Sequence, residues 1–245
     1  WDNYNEVSIK NLLEMRSGIK YNEDYENHFS DINLSFVKAY WFNIPFAKQF
    51  QKLKSKQKAG HDFEYLSSNS HVLGILVETV TKKTLDEYAN EVLFSKLGHE
   101  YDITWLIDRS SKTLGFCGLN LSARDYLKFG VLALNKGKVG SNGATQIASS
   151  SWWEKATSPF INGAPGEIKN TNLGYAYQWW IPQKNNENKI VGDFSAVGIW
   201  GQFIYVDPNT KTVIVKTSAD PKLDKNKEAT FSVFRKIVQN ELDSK

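Results

Sequence analysis

Three β-branched and aromatic runs in the last third of the chain constrain its fold more than any other feature. Tyr175-Ala176-Tyr177-Gln178-Trp179-Trp180-Ile181, Gln202-Phe203-Ile204-Tyr205-Val206 and Thr212-Val213-Ile214-Val215-Lys216 are rich in residue types that suit a pleated, half-buried surface. Asp207-Pro208-Asn209-Thr210 reads as a tight turn, so the last two runs form a hairpin. Phe231, Phe234, Ile237 and Val238 then recur at helical spacing and lay a final amphipathic helix over one face of the sheet. Before Gly174 the pattern is helical. Helices followed by antiparallel strands and a closing helix argue an α+β fold, with residues 1–172 a mainly helical lobe and 173–245 the strands and last helix. Three strands under one helix leave an open edge, so an upstream segment is expected to complete the sheet. The first residue is Trp1 rather than Met, in keeping with that expectation.

Within the helical part, Ser8 caps a short helix with Ile9, Leu12 and Leu13 inward, and Gly18 stops it. Residues 21–31 are polar and acidic, hence loop. The aromatic stretch from Leu34 to Phe50 is broken at Asn43-Ile44-Pro45 and predicts two short helices. Phe63-Glu64-Tyr65-Leu66-Ser67-Ser68-Asn69 then leads into a helix with Val72, Ile75, Leu76 and Val80 at helical spacing. This stretch supports two readings. Ser67, Ser68 or Asn69 could cap the first free N–H groups, or the polar groups are presented at the mouth of a buried helix as a site. Thr84-Leu85-Asp86-Glu87 is a capping box for the next helix, with Leu85, Tyr88, Ala89 and Val92 inward. Ser122 opens a helix through Leu134, Gly140–Gly143 is a turn, and Ser149–Ala156 is helical and ends before Pro159.

Composition excludes several classes. The net charge is +3, from 30 basic and 27 acidic residues, and the two lysine clusters, Lys52 to Lys58 and Lys222 to Lys227, read as solvated faces, which argues against nucleic acid. Cys117 is the single cysteine, so there is no disulfide framework and no thiolate zinc site; it reads as a small thiol in a turn. No apolar run approaches the length of a transmembrane segment. The four histidines are scattered and all lie before residue 100, which argues against a metal site or a Ser-His-Asp triad. No motif calls for a cofactor.

Five blocks in order resemble one family: Leu12-Leu13-Glu14-Met15-Arg16-Ser17-Gly18, the Tyr65 stretch, Leu119 to Gly130, Gly174 to Trp180, and Gly198 to Pro208. It is the serine hydrolases with the β-lactamase and penicillin-binding-protein fold, and within it the 6-aminohexanoate-dimer hydrolase and class C-like esterase branch. The resemblance implies a β-lactamase/transpeptidase-like fold in which an upstream segment carries the nucleophile motif Ser-x-x-Lys. Three such matches do occur here, Ser17/Lys20, Ser35/Lys38 and Ser55/Lys58, but 21 serines and 26 lysines give about two by chance, and all three follow the block that should succeed the motif. None is assigned as nucleophile.

The same resemblance implies roles for particular residues. Tyr65 matches the Tyr-x-Ser/Asn element, with Ser67 at its third position, and Ser67-Ser68-Asn69 also fits a Ser-x-Asn register. A tyrosine is a poor base near neutrality unless a lysine charge favours its anion. The third motif, ordinarily Lys or His, then Thr or Ser, then Gly, falls on Ala196-Val197-Gly198. Ala and Val offer no charge or hydroxyl for a substrate carboxylate, which shifts the expected substrate from β-lactams to an uncharged small ester or amide. Gly198 keeps a close backbone approach, the Ile199 N–H is an oxyanion donor, and Trp200 walls the site. Two alternatives remain: a catalytically inactive relative acting as a binding module, and a β-lactamase or D,D-peptidase. Family habit leans to a periplasmic or exported bacterial protein.

Overall fold

A computed structural model describes residues 1–140, 143–158, 173–182 and 192–243. Contacts divide the chain into two compact units, Trp1–Val92 with Ile103–Asn120, and Leu93–Asp102 with Leu121–Lys245.

The first unit is built on short helices with polar starts. Ser8 caps α1 (Ile9–Leu13) in a reciprocal box with Asn11, and Ser30 caps α2 (Asp31–Tyr40). Pro45 sits at the N-cap of α3 (Phe46–Phe50), so the break at 43–45 falls where the proline demands it. The long helix α4 (Ser67–Thr81) is followed by α5 (Leu85–Ala89), whose Thr84–Glu87 box forms as expected. A two-residue pair, β1 (Thr104–Trp105) with β2 (Leu119–Asn120), completes the unit. Its core gathers Leu12, Ile19, Ile32, Phe46, Phe50, Leu66, Val72 and Leu114. His71 lies in that core, edge-on to Phe46, Phe50 and Phe116, with Nδ1 accepting from Gly115 N at 3.3 Å. Burial lowers its pKa to about 4, so it stays neutral.

Two apolar positions of the expected stripes face solvent: Ile9 is exposed, and Val80 is 80% exposed at the far end of α4. Trp41 and Phe42, between α2 and α3, are exposed as well. Helical periodicity marks a stripe, but the stripe runs past the last residue that has anything to pack against.

The second unit begins with the short α6 (Ser95–Leu97). Ser122 then caps α7 (Ala123–Leu134), which crosses the sheet. Gly130 is the point of closest approach: a Cβ there would strike Val213 and come within 2.9 Å of Ile204. The pair β3 (Lys138–Val139) and β4 (Thr145–Gln146) precedes α8 (Ser150–Thr157), capped by Ser149. The main sheet is antiparallel in the order β5 (Leu173–Tyr175), β6 (Trp180–Pro182), β7 (Phe194–Gly198), β8 (Gln202–Asp207), β9 (Thr212–Lys216). Helix α9 (Leu223–Asp243) closes the chain.

The expected three strands are therefore five. The Tyr175–Ile181 run is not one strand but a hairpin: Ala176 N donates to Trp179 O at 2.9 Å and Gln178 takes φ 64°, so β5 and β6 pair through Leu173↔Pro182 to Tyr175↔Trp180. The Asp207–Thr210 turn joins β8 to β9 as expected, with Asp207 Oδ2 accepting from Thr210 Oγ1 at 2.7 Å. Phe231, Phe234 and Val238 of α9 are buried, whereas Ile237 is exposed. Of the Lys222–Lys227 cluster, Lys222 lies in a turn and the rest falls in the first turns of α9.

Candidate active site

The mouth of α4 is positioned by the block around Met15. That residue ends α1 with φ 56° and is buried. Its carbonyl accepts from Glu64 N at 2.8 Å, Arg16 O accepts from Gly60 N at 2.8 Å, and the Arg16 guanidinium donates to His61 O. Met15 Sδ lies 3.6 Å from Asn69 Nδ2 inside the helix. Segment 60–64 is thus pinned along residues 15–16, and Tyr65 is delivered just before the first turn of α4. Tyr65 is 41% exposed; Ser67, Ser68 and Asn69 are buried, and Asn69 Oδ1 has no hydrogen-bond partner among the described residues.

The local cap expected from Ser67, Ser68 or Asn69 does not form. Leu66 occupies the N-cap and offers no side-chain acceptor. The cap comes from Glu23, 44 residues upstream, whose carboxylate accepts from Ser67 N and Ser67 Oγ, each at 2.5 Å. Tyr25 Oη donates to Glu23 at 3.1 Å and lies 3.3 Å from Ser67 Oγ. Glu23 forms no ion pair among the described residues. Burial raises its pKa, an effect the hydrogen bonds from Ser67 oppose. A cavity of about 470 Å³ opens beside it, lined by Lys20, Tyr21, Asn22, Asp31, Lys56 and Glu64.

The Tyr65 phenol is pushed up to about 12, by desolvation and then by the Glu23 carboxylate. Its partial exposure limits the first cause, so the negative neighbour is the firmer reason. Such a tyrosine holds its proton at neutral pH and becomes a base only when a cation offsets that charge. Cys117 is half-buried with its thiol raised to about 11, which fits the inert turn cysteine expected.

The other candidate residues belong to the second unit. Gly198 ends β7 opposite Gln202, and a Cβ on it would sit 3.1 Å from Gln202 Cβ, a tight contact that a larger residue could keep only if Gln202 shifted by a few tenths of an ångström. Ile199 is 42% exposed and none of the described residues accepts from its N–H. Trp200 takes φ 60° and Gly201 φ 87°, the left-handed conformation of a tight turn; Trp200 is 56% exposed and its carbonyl accepts from Asp220 N at 2.8 Å. Ala196 and Val197 precede this turn on β7, opposite Ile204 and Phe203.

Tyr65, Ser67 and Asn69 are therefore gathered at one helix mouth, and Gly198, Ile199 and Trp200 in one turn. Of the three Ser-x-x-Lys matches, Ser17 and Ser35 are buried, Ser35 accepting from Tyr21 Oη at 3.1 Å, and Ser55 Oγ donates to Gln57 O at 2.9 Å. None is presented as a nucleophile. A second cavity of about 870 Å³, in the second unit between Lys96, Leu127, Val131 and Lys138, contains none of the candidate residues. Among the described residues no group of three His, Cys, Asp or Glu is placed to hold a metal, and no helix is long and apolar enough to cross a membrane.

The sequence model of the beta-lactamase family matches residues 2–234. The chain belongs to the beta-lactamase family. Among relatives of this beta-lactamase-family chain, the 6-aminohexanoate-dimer hydrolase of Paenarthrobacter ureafaciens is 30% identical over 231 residues, covering 90% of this chain and 57% of that protein. A solved structure from Bacillus anthracis named for the same hydrolase superposes with TM-score 0.82 at 25% identity, over 99% of this chain and 63% of that one. A penicillin binding protein from Bacillus halodurans is alike in fold, with TM-score 0.67 at 17% identity over 96% of this chain and 76% of its own. The fold is the α+β, β-lactamase/transpeptidase-like one expected. This beta-lactamase-family chain spans 57% of the curated relative's length.

Glu23 is the residue that sequence reasoning missed at this site. Its loop looked merely polar, and nothing local ties position 23 to position 67. A usable signal did exist in α4 itself, which starts without an N-cap acceptor at Leu66 and so needs one from elsewhere.

Proposed function

We propose that the protein is a serine hydrolase that cleaves an ester or amide through an acyl-enzyme, its nucleophile carried by a Ser-x-x-Lys element outside residues 1–245. The observation that carries this reading is membership of the beta-lactamase family across residues 2–234, with Tyr65 placed at the mouth of α4. In the proposed cycle the upstream serine attacks the carbonyl, and the lysine offsets the charge that holds the Tyr65 phenol near 12. Tyr65 then takes the serine proton and returns it to the leaving group. The Ile199 N–H supplies one oxyanion hydrogen bond, Gly198 keeps the strand clear of the carbonyl, and Trp200 walls the substrate. In this reading Ser67 and Asn69 belong to the substrate-binding end of α4. Water then releases the acid by the same route.

Ala196 and Val197 leave no cation or hydroxyl for a substrate carboxylate, which favours an uncharged group at that end over a penicillin. The curated relative is named a 6-aminohexanoate-dimer hydrolase, whose substrate carries a carboxylate, whereas p-nitrophenyl esters have no charge at that end; the esters are the first substrates to try and the dimer is the comparison. Tyr65→Phe is expected to lower kcat/KM about 10²–10⁴-fold with little change in stability; equal activity of the variant and the parent rules out this role for Tyr65.

A further inference from the structure

We infer that Glu23 is a positioning residue of this site: it fixes Ser67 and the α4 mouth through two hydrogen bonds and sets one negative charge beside the Tyr65 phenol. The inference rests on the hydrolase reading for its functional consequence, but its geometry stands independently.

Helix N-termini are ordinarily capped by the residue before the first turn. Here Ser67, Ser68 and Asn69 are all available within one turn, yet Ser67 N and Oγ both turn to a carboxylate from the 21–30 loop. The arrangement couples two distant segments. That loop is itself held by α2: Asn22 N donates to Asp31 Oδ2 at 2.8 Å, and Asn33 Nδ2 donates to Tyr25 O at 3.1 Å and Asn27 O at 2.9 Å. A line of restraint therefore runs from the start of α2 through Glu23 to Ser67, two residues beyond Tyr65.

Among the described residues no ion pair compensates the charge. Tyr21 and Tyr25 from its own loop, Glu64 and Tyr65 from the segment before α4, and Cys117 before β2 all feel the Glu23 carboxylate, and each is neutral or negative. Lys20 and Lys56 line the cavity beside it, and Lys56 is paired with Glu64 at 2.5 Å. The helix N-terminus favours the anion, whereas burial disfavours it. A carboxylate kept there costs stability, and the gain is control over when Tyr65 can lose its proton.

The test compares the parent protein with Glu23→Gln, which keeps an acceptor for Ser67 N–H but loses the charge. In ¹H–¹⁵N spectra recorded across the acid range, the Ser67 amide of the parent is expected well downfield, titrating with a midpoint above 4.5, and to be static in Glu23→Gln. In parallel, the rising limb of kcat/KM against pH for ester hydrolysis by the full polypeptide is expected to move to lower pH by roughly one unit in the variant. KM should change less than kcat. A Ser67 amide that ignores the charge at position 23 overturns the inference, as does a variant pH profile that superimposes on the parent's. Failure of the parent to hydrolyse any ester or amide counts against the hydrolase reading alone, and the Ser67 titration still decides the place of Glu23.

Discussion

Glu23 in the first unit and Asp193 in the second are both carboxylates that accept a hydrogen bond from a tyrosine, Tyr25 at 3.1 Å and Tyr205 at 2.9 Å. They differ in what else they meet. Asp193 is fully buried and faces Arg235 of α9, which bonds both of its oxygens at 2.7 and 2.8 Å and also donates to Pro182 O at 3.0 Å. Every charge there has its opposite, and the cluster ties α9 to β6 and β8 as a clamp. Glu23 caps a helix with no ion-pair partner among the described residues, and the phenol nearby is raised instead. A paired buried acid reads as structure. An unpaired one beside a motif tyrosine reads as a site whose charge balance is completed by something else.

If that contrast is right, breaking each cluster has a different signature. The largest stability effect belongs to the clamp: Arg235→Met should cost about 3–5 kcal/mol by leaving Asp193 charged and buried, measured by chemical denaturation. Glu23→Gln should cost far less stability while moving the activity profile. A ranking with Glu23→Gln the more destabilising would end the comparison.

Next comes pH. His71 titrates near 4 when folded and near 6.5 when unfolded, so between these values only the unfolded chain takes up the proton. Stability from this group is complete above about 6.5 and declines as pH falls toward 4, by about 1.4 kcal/mol per pH unit, or roughly 3 kcal/mol in all. Glu23 acts in the opposite sense, because its folded pKa is raised: its contribution is complete below 4.5 and lost as pH rises through the folded value. Denaturation midpoints measured from pH 4 to 7 should therefore rise with pH in the parent and flatten in His71→Gln. The smallest effect is the loss of single hydroxyls. Tyr205→Phe should cost about 1 kcal/mol because Oη meets a buried acid, and Tyr25→Phe less because that residue is 43% exposed.

Local devices were the most legible part of the fold. The Ser8, Thr84 and Ser122 caps, the Pro45 break and the Asp207–Thr210 turn each depend on residues within a few positions of one another, and each appears as expected. The β5–β6 hairpin was not legible, since its turn contains no Gly or Pro and hides inside an aromatic run, with Gln178 alone taking the left-handed conformation. The two carboxylate clusters were not legible either. Glu23 meets Ser67 across 44 residues and Asp193 meets Arg235 across 42, and no periodicity encodes a pairing of that reach. The order of the five motif blocks made the fold readable despite this. It also marked Tyr65 and the Gly198–Trp200 turn, but not the acid that meets Ser67 two residues beyond Tyr65.

The central claim is most directly tested by treating the protein with a fluorophosphonate probe and mapping any adduct by mass spectrometry. The expected result is a single adduct on the serine of a Ser-x-x-Lys element outside residues 1–245, formed much more slowly in Tyr65→Phe. An adduct on Ser17, Ser35 or Ser55, or no adduct on protein that contains such an element, would contradict the account.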